Sequence, residues 1–528
     1  MKLAMRTVHV NVPLDRTFLF TFSPMKKILL LSISIFSIGS TFAQNSFIKD
    51  SLDIYVNREM KKWNIPGVAV AVVKDGKVIV NKGFGVKDNT KPEKVDENTL
   101  FQIASNTKAF TGTSIALLAY QKRMSLDDKI IKFIPDFKLY DPLATQEVTV
   151  RDMLCHRIGF ETFQSDMLNW GCNLSQKELI MNMRNVKPQL GFRSKYGYTN
   201  MGFVTAGSLI PIVTDTTWDD FIKYHFFIPL KMEHSSTQWA KITSDKNACK
   251  PYTMVNGKLV VMPFVNIDNI GPCASINSSV NDLSHWLLMQ LDSGRFEGKR
   301  VFPFSVLQMT RQSNVIVSNP FNPMFPSKHF QTYGLGWFLE DYNGKKIIQH
   351  DGGANGFVTT VCFLPEENLG ITVLTNTDAN YFYGALRQQI IDAYMNLPYR
   401  NYSDIYYRNY SYGQKMEDDQ VKGWRDVVAK KNKAELELKN YVGDYSNEVY
   451  GNMKIQLENG KLYLYLSHHQ TFRGELEFME NNTFLCTYSD PEYGVKKIPF
   501  TITAGKVTSA GVSVNDFIDK DVYEFVKK

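Results

Sequence analysis

Phe101-Gln102-Ile103-Ala104-Ser105-Asn106-Thr107-Lys108-Ala109-Phe110-Thr111 is the stretch on which the reading of this chain turns. A serine is followed three residues later by a lysine, and Thr107 to Lys122 carries helical periodicity. Three residues is nearly one helical turn, so Ser105 and Lys108 share a face. A serine hydroxyl is a poor nucleophile until something takes its proton, and a lysine one turn away can do so. At a helix start, the positive end of the dipole also lies near a developing oxyanion. The pair alone decides little. Ser23-Pro24-Met25-Lys26 has the same spacing, and an N-cap serine beside a solvated lysine reads identically.

Outward from this stretch, the chain of 528 residues is too long for one core, so two or more folded units are expected. A composition of 44% hydrophobic, 13% aromatic and 21% charged residues is that of a soluble globular protein. The formal charge of +7 is concentrated at the start. Lys2, Arg6, Arg16, Lys26 and Lys27 against Asp15 put +4 into residues 1–43, leaving +3, too little to argue for nucleic acid or an anionic membrane surface. From Met25, a basic pair, the apolar run Ile28 to Ile38 and the small residues around Thr41-Phe42-Ala43 form a signal-peptide pattern with a cut expected between Ala43 and Gln44. The run is short for a membrane span, so no integral span is expected after cleavage. Residues 1–24 read as an upstream extension from a misassigned start codon. The expected location is the periplasm or cell envelope of a Gram-negative-type bacterium. Cys155, Cys172, Cys249, Cys273, Cys362 and Cys486 are scattered, and neither they nor the nine histidines have metal-ligand spacing; no metal and no cofactor is expected.

Helical and strand patterns alternate from residue 44 to 398. Ser46 to Trp63 reads as a helix, and Gly67–Val73 and Lys77–Gly83 as a hairpin turning on Asp75-Gly76. Gly334 to Trp337, Ile347–Gln349, Val358–Leu364 and Gly370–Thr375 read as late antiparallel strands. One sheet closed by both ends of the region, with helices between, is the expectation. Residues 399–435 read as a connector, rich in Tyr and Asn and then charged. From 436 to 528 the pattern is period-two with Asn and Gly turns, as in a small β-barrel or sandwich.

The Ser105 stretch resembles the penicillin-recognising serine enzymes, within them the branch holding class C β-lactamases, D-aminopeptidases, DD-carboxypeptidases and family VIII-type esterases. The resemblance implies an α+β fold: a class C β-lactamase-like domain, with an antiparallel sheet flanked by helices and a helical subdomain, followed here by a small all-β barrel. It also implies two further motifs. Tyr-x-Asn occurs at Tyr55, Tyr399, Tyr407, Tyr445 and Tyr450 as well, but only Tyr198-Thr199-Asn200 stands in the right order. By that resemblance Tyr198 is a second base, its phenol pKa lowered by Lys108, and Asn200 holds the substrate oxygen and orients Lys108. The third motif, Lys-Thr-Gly in β-lactamases, reads His350-Asp351-Gly352-Gly353, closer to the His-x-Gly of related esterases and peptidases. Glycine at Gly352 lets substrate lie flat against a strand. The Gly353 N–H pairs with that of Ser105 as an oxyanion hole, and His350 shapes the pocket and donates to substrate. A histidine largely uncharged at neutral pH is a weaker carboxylate anchor than lysine, which lowers the expectation of efficient penicillin turnover.

Met153 to Gly159, Ser275 to Trp286 and Tyr333 to Trp337 extend the resemblance. His156 reads as a structural hydrogen-bonder, Cys155 as core, and Trp337 as core or pocket wall. Phe160, Phe163, Met167, Trp170, Phe321, Met324 and Phe325 lie in the expected specificity loops, as pocket lining or as anchors. The C-terminal unit, opening at Tyr441-Val442-Gly443-Asp444-Tyr445, resembles lipocalin-like domains that cover the active-site mouth or mediate assembly, so a homo-oligomer through it is left open. His468-His469 reads as solvated surface. The implied function is an exported serine hydrolase forming a Ser105 acyl-enzyme with a small ester or amide. Acyl transfer to a hydroxyl of a small acceptor, and a non-catalytic penicillin-binding sensor or scaffold, stand as alternatives.

Overall fold

The computed structural model describes residues 47–318 and 322–528. The signal-peptide region, Ser46 and Phe321 lie outside the described residues. Asp75 and Gly76 both adopt positive φ (50° and 74°), the turn geometry that matches strand twist, and join β1 (Gly67–Lys74) to β2 (Lys77–Gly85). Five more strands follow late in the chain after β3 (Val315–Ser318): β4 (Gln331–Tyr333), β5 (Phe338–Tyr342), β6 (Lys345–Ala354), β7 (Phe357–Leu364) and β8 (Leu369–Thr375). The sheet order is β2-β1-β8-β7-β6-β5-β4-β3, antiparallel throughout, so the first and last parts of this region meet at β1 and β8. Gly334 to Trp337, expected as a strand, is instead the turn between β4 and β5.

Both faces of the sheet are covered, and β1 shows the alternation that requires it. Ala69, Ala71 and Val73 enter one core, beneath helices α1 (Thr107–Tyr120) and α2 (Val280–Leu291). Val68, Val70 and Val72 enter the other, beneath Leu52–Trp63 and α3 (Phe382–Tyr394). Helix α1 is buried from Thr107 to Leu118 on every side, as a helix at the centre of a domain must be.

The connector is more than a linker. Tyr402–Ala429 is one helix, α4, whose tyrosine-rich start packs on the second core and whose charged end reaches the C-terminal unit, where Arg425 approaches Glu477. That unit is a closed antiparallel barrel of eight strands between Gly443 and Lys527. Its interior is filled with side chains: Tyr441, Tyr445, Phe484, Phe500 and Phe525 are buried in a cluster continuous with the first core. No helix among the described residues is long and apolar enough to cross a membrane.

Candidate active site

Ser105 lies in a single 3₁₀ turn, Ala104–Asn106, that runs straight into α1. Ala104 before it has φ of +45°, a left-handed conformation that a residue with a Cβ rarely adopts. Gly352 explains why this turn can press against β6. A Cβ on Gly352 would lie 2.1 Å from the Ile103 carbonyl oxygen, so only glycine permits the approach. Strand β5 pairs with β6 only from Lys345 to Gln349, which leaves His350 to Ala354 on a free edge facing the serine turn.

The Lys108 ammonium is wholly buried and donates to Ser105 Oγ (3.0 Å), Asn200 Oδ1 (2.7 Å) and the Cys273 carbonyl (3.1 Å). Burial pushes its pKa down to about 8. Tyr198 also hydrogen-bonds to Ser105, but its pKa moves the opposite way from the expectation: burial holds the phenol well above 10. The Lys108 nitrogen lies over the Tyr198 ring, 4.8 Å from its centroid, in a cation–π contact. Of the two, Lys108 is the group that can shed its proton near neutral pH.

Asn200 begins the helix Asn200–Gly207 and faces two ways. Its oxygen accepts from Lys108, while its Nδ2 donates to Asp166 Oδ2 at 2.6 Å. The geometry thus supports the orienting part of its expected role. Burial pushes Asp166 up to about 7. The Tyr198 backbone is pinned by Thr162 Oγ1 (3.1 Å), and the next amide, Thr199 N–H, donates to His156 Nδ1 (3.0 Å). The His156 ring stacks on Tyr198 at 4.4 Å, and its own loop is stapled by Arg157 and Arg193 on the buried Asp152.

His350 does not present a free donor. Its Nε2 meets the Tyr333 hydroxyl at 2.9 Å and its Nδ1 the Asp351 carbonyl at 2.6 Å, while burial lowers its pKa to about 3. It is a neutral wall with both nitrogens engaged, which corrects the expected donation to substrate. Asp351, on the opposite face of the strand, is neutralised by Arg387.

A cavity of about 480 Å³ opens over Ser105, Gly352 and Gly353. Phe163 and Trp170 from the first specificity loop line it; Phe160, Met167 and Phe325 are core, and Met324 packs against the second core. Trp337 is fully buried and stacks on Trp286, so it belongs to the core. The cavity also takes Asp378, Tyr381 and Tyr383 after β8, Tyr410 from the connector helix, and Phe517 and Ile518 from a barrel loop. Sequence gave no sign of these six. A Cβ on Gly353 would meet the Phe517 ring at 2.9 Å, so that ring stands directly on the third motif.

The barrel is held there by specific bonds. His469, expected at the surface, is 2% exposed; its Nε2 bonds the Trp170 carbonyl at 2.8 Å and its other nitrogen meets Tyr450. Asp519 accepts from the Met167 amide at 3.1 Å, next to Asp166. Cys155 and Cys273 are buried thiols whose pKa values rise to about 12.

The comparisons bear on family and fold. The Beta-lactamase family model matches residues 52–394, and a domain of unknown function, DUF3471, matches residues 428–527. The chain is 28% identical to Protein flp of Staphylococcus aureus (strain MW2) over 338 residues, 63% of this chain and 64% of that one. It is 26% identical to the unguisins hydrolase ungD of Aspergillus violaceofuscus over 365 residues, 65% and 64% of the two chains. The matched part thus spans less than two thirds of each relative's length. In fold it matches the octameric penicillin-binding protein homologue from Pyrococcus abyssi, with a TM-score of 0.59 and 20% identity over 90% of this chain and 99% of that one. The chain belongs to the Beta-lactamase family, the penicillin-binding-protein-like serine hydrolases.

Proposed function

We propose that this protein is an exported hydrolase that cleaves small esters or amides through an acyl-enzyme on Ser105. The observation that carries the reading is the wholly buried Lys108 nitrogen, 3.0 Å from Ser105 Oγ at the floor of the cavity. In its neutral form Lys108 takes the Ser105 proton as Oγ attacks the carbonyl carbon. The N–H groups of Ser105 and Gly353 receive the developing oxyanion. Tyr198, protonated at rest, donates its proton to the leaving amine or alcohol and is reprotonated by Lys108. Water then attacks the acyl carbon with the same groups in reverse. Asn200 holds Lys108 in register, and Gly352 keeps the edge flat. Nine aromatic side chains line the cavity, and the neutral His350 offers no charge to a substrate carboxylate, so acyl groups without a carboxylate fit better than penicillins. A relative named as a hydrolase supports water as the final acceptor.

The test is a pre-steady-state assay with p-nitrophenyl butyrate and mass analysis of the intact protein. A burst of nitrophenol matching enzyme concentration, with a butyryl adduct on the peptide bearing Ser105, is expected. Equal reaction by Ser105→Ala would overturn the assignment.

A further inference from the structure

Beyond Gly353 the cavity turns away from Ser105 toward a wall of a different kind. Asp378 is tied to the turn that follows β6, its Oδ2 accepting the Gly356 N–H at 2.7 Å. Around it stand Tyr381, Tyr383 and Tyr410, with the Tyr381 and Tyr410 rings edge to face at 5.8 Å. Behind it is Glu492 of the barrel, only 8% exposed, whose carboxyl is bonded to Asp378. No Lys, Arg or His lies within ion-pair distance of either acid among the described residues. The nearby Arg387 is already committed to Asp351 and to Thr360 Oγ1.

A buried Glu492 and a half-buried Asp378, facing three tyrosine rings with no Lys, Arg or His in ion-pair reach among the described residues, form a wall that disfavours a carboxylate or phosphate. An alkyl group alone would leave the negative charge uncompensated. A positively charged nitrogen satisfies both halves of the wall, since the π faces and the carboxylate attract it together. Burial pushes Asp378 up to about 6 and, with the repulsion of Asp378, holds Glu492 well above the usual carboxyl range, as expected of a pair lacking its counter-ion.

We propose that the end of the cavity bounded by Tyr381, Tyr383, Tyr410 and Asp378 is a subsite for an ammonium group carried by the substrate. This rests on Ser105 being the nucleophile, because the subsite is useful only in line with it. The substrate class is therefore an ester or amide whose acyl or leaving group ends in an amine or quaternary ammonium.

The experiment is calorimetric binding of choline and of 3,3-dimethylbutan-1-ol to the full-length protein. The two have the same shape and differ by the charge, and the measurement needs no turnover. Choline is expected to bind at least about tenfold more tightly, with the preference falling at least about fivefold in Asp378→Asn. Tyr381→Leu, at an exposed ring that leaves Asp378 and its Gly356 bond in place, takes one π face from the wall, should lower the same ratio and covers a failure of the first variant to fold. Equal affinity for the two alcohols, no binding of either, or a preference unchanged in both variants would overturn the subsite. The burst assay at Ser105 is independent: its success with no choline preference removes the subsite alone, and its failure removes the nucleophile assignment.

Discussion

Replacing Lys108 by methionine tests whether burial, rather than any partner, sets the chemistry of the site. In the folded protein Lys108 titrates at about 8 instead of its ordinary 10.5, a penalty on the charged form of about 3 kcal/mol. Between those two pH values the unfolded chain binds one more proton than the fold. Stability therefore rises with pH across that window, and below it the whole penalty is present. Lys108→Met abolishes this titration but leaves the Asn200 and Cys273 oxygens without their donor, at about 1–3 kcal/mol each. Net stability at neutral pH is thus a poor measure of the effect. The difference between wild type and variant, followed across pH, isolates it.

Urea unfolding of both proteins at pH 7 and pH 10.5 supplies that difference. Wild type should gain about 3 kcal/mol on the variant between the two, with all other groups cancelling. In the same series, wild-type kcat/KM should rise about tenfold from pH 7 to a plateau above pH 8, because only about one lysine in ten is neutral at pH 7. The variant should lose about a hundredfold to ten-thousandfold in activity. Parallel stability curves, or a rate limb near pH 8 that survives in Lys108→Met, would refute the assignment of Lys108 as the base.

Tyr198→Phe keeps the ring on His156 and Lys108 and removes only the hydroxyl; kcat for butyryl ester hydrolysis should fall about a hundredfold or more, with the urea midpoint little changed. Gly352→Ala drives a Cβ into the Ile103 carbonyl and should cost about 2 kcal/mol or more by urea unfolding, with activity lost as the serine turn is displaced. His469→Ala removes the ring bonded to Trp170 and Tyr450 and should destabilise by about 2 kcal/mol; an unchanged midpoint would mean the barrel is held elsewhere. Phe517→Ala should raise kcat/KM for hexanoyl over acetyl esters about tenfold, and an unchanged ratio would remove Phe517 from the acyl path.

The local part of this structure was legible. The Asp75-Gly76 hairpin, the late strands Val358–Leu364 and Gly370–Thr375, and the period-two barrel carry their signals within a few residues. The Ser105, Tyr198 and His350 motifs meet around one cavity. What was not legible arises from tertiary proximity. Gly334 to Trp337 has the apolar pattern of a strand, yet Gly336 takes φ of +88° because the turn lies flush against the Lys108 carbonyl. The tyrosines of residues 399–412 resemble linker composition, and only the path of α4 beside α3 brings Tyr410 to the cavity. Asp378 and Phe517 sit in loops, and Asp166 opens the single helical turn Asp166–Asn169, none with a motif of its own. The expected lowering of the Tyr198 pKa by Lys108 fails because burial of the phenol, which no local pattern records, outweighs it, while the lysine donates to Ser105, Asn200 and Cys273.

The barrel contributes to the chemistry as well as to the mouth. Asp519 of the barrel loop accepts the Met167 amide and faces Asp166, raising that carboxyl's pKa beyond the effect of burial. Asp166 accepts from Asn200, and Asn200 accepts from Lys108, so the barrel loop is the fifth member of a chain that ends at Ser105 Oγ. A carboxylate fully ionised at Asp166 would draw the ammonium toward its charged form through that chain and take the base out of use at neutral pH. The barrel helps keep Asp166 dry, its pKa pushed up to about 7 so that it is only partly ionised at neutral pH, and burial likewise lowers Lys108. Phe517 and Ile518 exclude water from the cavity side while Asp519 does so from behind. The proton inventory at the proposed nucleophile is thus set jointly by two folded units, and no motif within either one records it.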